Sequence, residues 1–286
     1  RRYAWLLLYL LGAAPAVCRS FVASRDHHLS PVGTDSHSLY QPNATSLRMG
    51  DLGYQSQAQS NLDISYNSLE QYIGTLRTAL AEPYQSYADI GLKNEQGDYN
   101  QLNTHVLQIE NEFYSPIRPK RTAADNETPL QALERHGVEY IEVRLLDVNP
   151  FSPVGFTKEQ ANFIDTLLLY CLLLPSPEHN NQLCETVASN VEEVVEQGRL
   201  PTTLLEDGPR KRSVKDWGLE LTKELAPVAK LLDQLTAGGE HLQSLQKQTA
   251  RLEDSSLTLS ARVLAEMEKE EISYFKFAMN KSIEHQ

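Results

Sequence analysis

Cysteine is scarce: the 286 residues hold three, Cys18, Cys171 and Cys184, an odd number with no C-x-x-C pair. That excludes a disulfide framework and a structural zinc site of paired thiolates. A reducing, cytoplasmic compartment is expected, with the thiols buried as small apolar side chains. Positive charge is also in deficit. With 26 Lys+Arg against 38 Asp+Glu the chain carries −12 at neutral pH, which repels phosphate backbones and anionic lipid surfaces and excludes nucleic acid and membrane as partners. No apolar run approaches the roughly 20 residues needed to span a bilayer. Glycine-rich phosphate loops, heptad arrays and internal repeats are absent as well, as is any Ser/His/Asp or Cys/His pattern that would suggest a protein nucleophile. What is present, 41% hydrophobic residues, suffices for the core of one large or two modest domains.

Arg1 and Arg2, the apolar run Ala4 to Leu11 and then Ala13-Ala14-Pro15-Ala16 have the outline of a secretory leader. Val17 is too bulky for the small residue expected before a lipoprotein cysteine, so the run is read as an internal helix that is buried in the complete protein. Residues 22–43, rich in Ser, His, Asp and Pro, read as a long loop, with His27, His28 and His37 solvated. Leu69, Ile73, Leu76 and Leu80 recur at helical spacing behind a capping box of Asn67 and Glu70. A strand is expected over about 104–113. From Val138 to Leu146 the pattern alternates, Ile141, Val143 and Leu145 on a core face and Tyr140, Glu142 and Arg144 on the other. Beyond Pro150 the chain turns helical. Thr157 and Gln160 form a capping box before a stripe of Ile164, Leu167, Leu168, Cys171 and Leu172. A second helix carries Val187, Val191, Val194 and Val195 and ends at Gly198 in a left-handed cap. A third is expected to bend or restart near Pro227, and the charged run Glu266 to Glu271 to be a solvated face of the last.

Polar chemistry concentrates in two places. Arg118, Lys120 and Arg121 follow Glu110-Asn111-Glu112-Phe113-Tyr114 and would make a local anion site suited to nucleotide phosphates; a basic surface loop is the other reading. Glu142 and Arg144 lie on one strand face with bases about 6.6 Å apart. A carboxylate is a hard ligand for Mg²⁺, and a guanidinium beside it can fork onto phosphate. A structural ion pair has the same spacing.

Thr45 to Tyr54 (TSLRMGDLGY), Gln108 to Arg121 and Val138 to Pro153, with the opening Trp5 to Leu10 and Pro15 to Phe21, resemble the proteobacterial form of glutamate–cysteine ligase over nearly the whole chain. The resemblance implies an α+β fold: part of a curved antiparallel sheet, a cup similar to that of glutamine synthetase, with packed helices outside. It implies residues 1–174 as the C-terminal part of the catalytic domain and 175–286 as a helical region. It further implies Glu142 as a Mg²⁺ ligand, Arg144 as a catalytic phosphate contact, Arg48 as a clamp on a substrate carboxylate, that of cysteine being favoured, and Tyr54 and Tyr114 as parts of the cysteine pocket. Arg118, Lys120 and Arg121 are carried by position as ATP phosphate contacts. The substrates would be ATP, L-glutamate and L-cysteine, the product the γ-glutamyl bond that begins glutathione synthesis. That family draws most of its acidic metal ligands from a segment before the point matched by Arg1, so the sequence in hand is expected to be a fragment with a partial, inactive site.

Overall fold

Eight consecutive apolar residues make a stable helix only where the helix is covered all round. Helix α1 (Ala4–Leu11) meets that condition: each of its residues is buried, and Trp5 meets Trp217 with ring centroids 4.9 Å apart. In the computed structural model, which describes residues 1–33, 35–53, 57–59, 62, 64–236 and 239–286 (35 and 36 by backbone alone), this run is therefore an interior helix.

Strands β1 (Ala16–Cys18), β2 (Ser30–Val32) and β3 (Asp35–Tyr40) form an antiparallel sheet in the order β1-β3-β2. Two strands thus lie in the segment expected to be a loop. Alternation explains it: Val17 and Leu39 are register partners and pack with Val22, Leu29, Ala44 and Leu47, while His37 stays exposed.

Helix α2 (Leu69–Ala81) buries Tyr72, Ile73, Leu76 and Ala79. Its N-cap is Ser68, whose side chain accepts the Gln71 amide, one residue beyond the expected Asn67. A short α3 (Gln85–Ile90) follows. The strand expected over 104–113 does not form: the segment holds an isolated bridge from His105 to Pro83 and a 3-10 turn at Glu110–Glu112. Next come β4 (Ile117–Lys120), α4 (Pro129–His136) and β5 (Tyr140–Val143), with β4 and β5 antiparallel. Beneath them α2 and α4 share a core of Ile73, Leu76, Leu107, Phe113, Leu130 and Leu133.

Helix α5 (Lys158–Leu173) starts at the Thr157/Gln160 capping box, with both reciprocal hydrogen bonds formed. Its buried face runs through Phe163, Ile164, Leu167 and Tyr170, so Cys171 and Leu172 fall outside the expected stripe and are exposed. Cys18 and Cys184 are half-buried. Thr157→Ala is expected to cost about 0.5–2 kcal/mol, read as a lower denaturant midpoint at unchanged slope. Helix α6 (Asn181–Gln197) ends at Gly198, whose φ is not positive. Glycine is needed there for space instead: a Cβ would lie 2.5 Å from the Val194 carbonyl oxygen and 3.0 Å from a Thr45 methyl. The hairpin β6 (Leu204–Asp207) and β7 (Arg210–Ser213) leads into α7 (Val214–Leu235), which passes through Pro227 as one helix without restarting. Helices α8 (His241–Glu253), α9 (Leu259–Lys269) and α10 (Tyr274–Glu284) complete the chain; in α9 Met267 is buried and Glu266 pairs with Lys281 at 2.9 Å.

The protein is thus a mixture of helices and small antiparallel sheets. It packs as two compact units, one of residues 1–53, 146–177 and 182–286, the other of residues 54–145 and 178–181. The expected boundary at residue 174 falls inside the first unit, because α5 packs on α7 and α8. Among the described residues no helix is long and apolar enough to cross a membrane.

Candidate active site

In the second unit, the antiparallel register puts Arg118 of β4 directly opposite Glu142 of β5. Pairing continues past the strand, since the Arg144 amide donates to the Pro116 carbonyl at 2.8 Å. Period-two alternation then places Arg118, Glu142 and Arg144 on one face. Glu142 lies between two guanidiniums, 3.4 Å from Arg118 Nε and 3.9 Å from Arg144 Nε. Both separations exceed the 2.7–2.9 Å of a charge-assisted hydrogen bond. Glu142 Oε2 is inaccessible and, at this geometry, accepts no hydrogen bond, although the side chain as a whole is 38% exposed. The buried Oε2 thus faces the Arg118 guanidinium, and Oε1 is the oxygen turned toward Arg144.

Arg118 is itself buried, and its Nη1 donates to the Asn111 carbonyl at 3.2 Å. Lys120 Nζ reaches Asn111 Oδ1 at 3.5 Å. Arg121 turns elsewhere: it donates to the His136 carbonyl at the end of α4 at 3.1 Å and lies 3.7 Å from Glu139. The three cations expected to form one anion site are therefore brought together only in part, Arg118 and Lys120 at Asn111 and Arg121 at the α4 C-terminus. They also lie on and just after a strand, not in a loop. Glu110 and Glu112 hold local structure: Glu110 Oε2 accepts the Leu130 amide in the first turn of α4 at 2.8 Å, and Glu112 Oε2 the Gln108 amide at 2.6 Å.

Arg144 Nη1 lies 3.5 Å from the Phe113 carbonyl, next to Tyr114. Tyr114 is exposed, its amide donating to Gln59 Oε1 at 2.9 Å. On the opposite face of the strand pair Ile117, Pro119, Val138 and Ile141 line a groove with Tyr66, Leu69 and Tyr72. Ile141, expected in the core, is half exposed there. Burial pushes the Tyr72 phenol well above its ordinary range, so it remains a neutral donor at physiological pH.

In the first unit Arg48 sits in a 3-10 turn, Leu47–Met49. The turn is fastened by the Leu47 amide to the Ala14 carbonyl at 2.7 Å and by the Thr45 amide to the Val195 carbonyl at 2.9 Å. Gly53 is needed where the chain leaves it, because a Cβ there would lie 2.1 Å from the Arg48 carbonyl oxygen. The guanidinium donates from Nε to Asp147 Oδ1 at 2.7 Å and from Nη2 to the Leu146 carbonyl at 2.9 Å. Asp147 was not singled out from the sequence; it lies 99 residues from Arg48, and no local pattern marks the pairing. Tyr54 lies outside the described residues. Among the described residues no group of three or more His, Cys, Asp or Glu side chains could hold a metal ion.

Comparison with known proteins agrees with the motifs. The family model described as glutamate-cysteine ligase matches residues 1–194. The glutamate–cysteine ligase of Saccharophagus degradans is 48% identical over 286 residues, all of this chain and 54% of that protein. That of Pseudomonas savastanoi pv. phaseolicola is 46% identical over 285 residues, covering 53% of its length. The chain thus spans about half the length of the curated relatives it matches. A solved glutamate–cysteine ligase from Francisella tularensis, in complex with AMP, superimposes with a TM-score of 0.90 at 38% identity, over 99% of this chain and 56% of that one. A bifunctional glutathione synthetase from Pasteurella multocida shares the fold, with a TM-score of 0.68 at 21% identity.

Proposed function

The chain belongs to the glutamate–cysteine ligase family, and from that premise we propose that the protein carrying it joins the γ-carboxylate of L-glutamate to the amine of L-cysteine with ATP. The carboxylate would take the γ-phosphoryl group of ATP, giving γ-glutamyl phosphate and ADP. The cysteine amine would then displace phosphate, losing a proton as the amide forms. The observation that carries the reading is the placement of Glu142 between Arg118 and Arg144 on one strand face. In a site that excludes bulk water, fixed positive charge stabilises a phosphoryl group in flight more than it stabilises the ground state. No protein nucleophile is required.

Arg144 would meet the transferring phosphoryl group. Arg118, buried at the base of the pair, would hold Glu142 in place and add to the local positive potential, and Lys120 and Arg121 would line the approach of the nucleotide. AMP bound by the F. tularensis relative supports nucleotide binding by the full-length protein. The carboxylate of Glu142, 38% exposed as a side chain, is the group on this face that would offer an oxygen to Mg²⁺, which would supply charge neutralisation to the nucleotide phosphates. Arg48 would clamp the carboxylate of cysteine; Tyr54 and Tyr114 are each proposed, on the resemblance of the motifs that carry them, for cysteine recognition. The strands β4 and β5 would form part of the wall of a curved, glutamine-synthetase-like sheet. The low cysteine count, three with no C-x-x-C pair, supports a cytoplasmic location.

The test is phosphate release by the full-length protein with each substrate withheld in turn. Release that ignores cysteine, or is better supported by another amine, overturns the reading. Tyr114→Phe keeps the ring and removes a hydroxyl able to bond the substrate. Loss of such a bond to a charged group is worth about 1.5–3 kcal/mol, so KM for cysteine should rise while KM for ATP stays. A larger change in the ATP constant would remove Tyr114 from the cysteine pocket.

A further inference from the structure

We infer that Asp147 is a positioning residue, whose buried carboxylate sets the orientation in which Arg48 receives a substrate carboxylate. The inference rests on the clamp role proposed for Arg48. Asp147 is 6% exposed and its two oxygens are divided between two donors. Oδ1 accepts Arg48 Nε at 2.7 Å and Oδ2 accepts the Ala13 amide at 2.8 Å. Together with the Leu146 carbonyl on Nη2 at 2.9 Å, residues 146 and 147 hold one edge of the guanidinium by two bonds. Two anchors on one edge fix the plane of the fork, which a single ion pair would leave free to rotate about the bond.

The anchor is rigid in its turn. The Ala13 amide that holds Asp147 follows Gly12, where a Cβ would stand 2.4 Å from the Leu8 carbonyl oxygen and 2.8 Å from that of Thr45. The Ala14 amide donates to the Thr45 carbonyl at 3.2 Å. Asp147 and the backbone of the Arg48 turn are therefore fastened to the same short segment, residues 12–14. The Arg48 side chain is 36% exposed against 5% for that of Asp147, so the carboxylate is sequestered and the guanidinium reaches the surface of its unit. A planar bidentate clamp gains affinity when its orientation is set before the ligand arrives. A purely structural Asp147 would share the same contacts but would leave substrate constants unmoved in any variant that folds.

The experiment uses the full-length enzyme with Asp147→Asn, Arg48→Lys and the double variant. Asp147→Asn keeps the shape and one acceptor oxygen while removing the charge that orients Arg48. The expected result is a rise in KM for cysteine of about ten- to a hundredfold, the size of a lost bond to a charged group, with kcat and KM for ATP within about twofold. Because Asp147 acts through Arg48, the double variant should be no worse than the poorer single one. If Arg48→Lys raises KM for cysteine and a folded Asp147→Asn does not, the positioning role is overturned and the clamp stands. If Arg48→Lys changes no substrate constant, the clamp itself is lost. Should Asp147→Asn fail to fold, Asp147→Glu keeps charge and acceptors but moves the carboxylate by one methylene; the same selective rise is expected, and an unchanged KM rejects the proposal. Failure of both variants to fold also counts against it, since Asp147 would then serve the fold alone.

Discussion

The 286-residue chain on its own is expected to release no phosphate from ATP in the presence of glutamate and cysteine. Among the described residues the acidic groups form no set of three able to hold a metal ion, and a single carboxylate cannot complete the octahedral oxygen shell of Mg²⁺. Relatives of the chain are nearly twice its length. The ribbon β4–β5 has no further hydrogen-bonded strand among the described residues, and Val138, Tyr140 and Ile141 are exposed on it. An open edge beside apolar surface invites association between chains. Purified chain assayed for cysteine-dependent phosphate release, with its oligomeric state followed by light scattering, checks both points. Turnover near that of the full-length enzyme would show that the 286 residues suffice.

Arg144→Lys in the full-length enzyme is expected to lower kcat by about ten- to a thousandfold, the range seen when one donor to developing charge is removed, with little change in stability. Lysine retains the charge and loses the planar fork that can hold two phosphate oxygens at once. The contacts that Arg144 makes with Glu142 and Phe113 are long, 3.9 and 3.5 Å. Breaking an ion pair of that length beside a partly exposed carboxylate should cost about 1 kcal/mol or less. Thermal denaturation and steady-state kinetics on the same protein decide the matter. A lowered melting temperature with normal turnover would return Glu142 and Arg144 to a structural ion pair; normal folding with collapsed turnover would place Arg144 in the chemistry.

Signals contained within one turn of chain were readable in the sequence. Thr157 and Gln160 lie three residues apart and form the capping box foreseen, since both bonds close locally. Glu142 and Arg144 share a strand face for the same reason. Errors arose where a distant segment decides the outcome. Residues 30–32 and 35–40 carry a loop-like composition, yet they form strands because Ala16–Cys18 lies alongside Asp35–Tyr40. Residues 104–113 have an apolar pattern, and among the described residues no strand pairs with them over that length. Gly198 ends a helix as foreseen, but the demand on it comes from Thr45 and Val194, not from its own dihedral angle. The basic triplet was visible; that Arg121 belongs to the end of α4 was not. Asp147 was beyond reach, because neither the Leu146-Asp147-Val148 stretch nor the Arg48 turn alone implies the other.

The burial of α1 also has a consequence for the order in which the polypeptide is made. Trp5 packs against Trp217, α1 touches α8 and α9, and Arg251 Nη1 donates to the Leu10 carbonyl at 3.1 Å. At roughly 5–20 residues per second, a ribosome needs on the order of ten to forty seconds to pass from the codon for Trp5 to that for Trp217. Until Arg251 and the helix after it have left the ribosome, the faces of α1 that meet α7, α8 and α9 lack those partners, so the packing seen around α1 is completed only late in the synthesis of this segment.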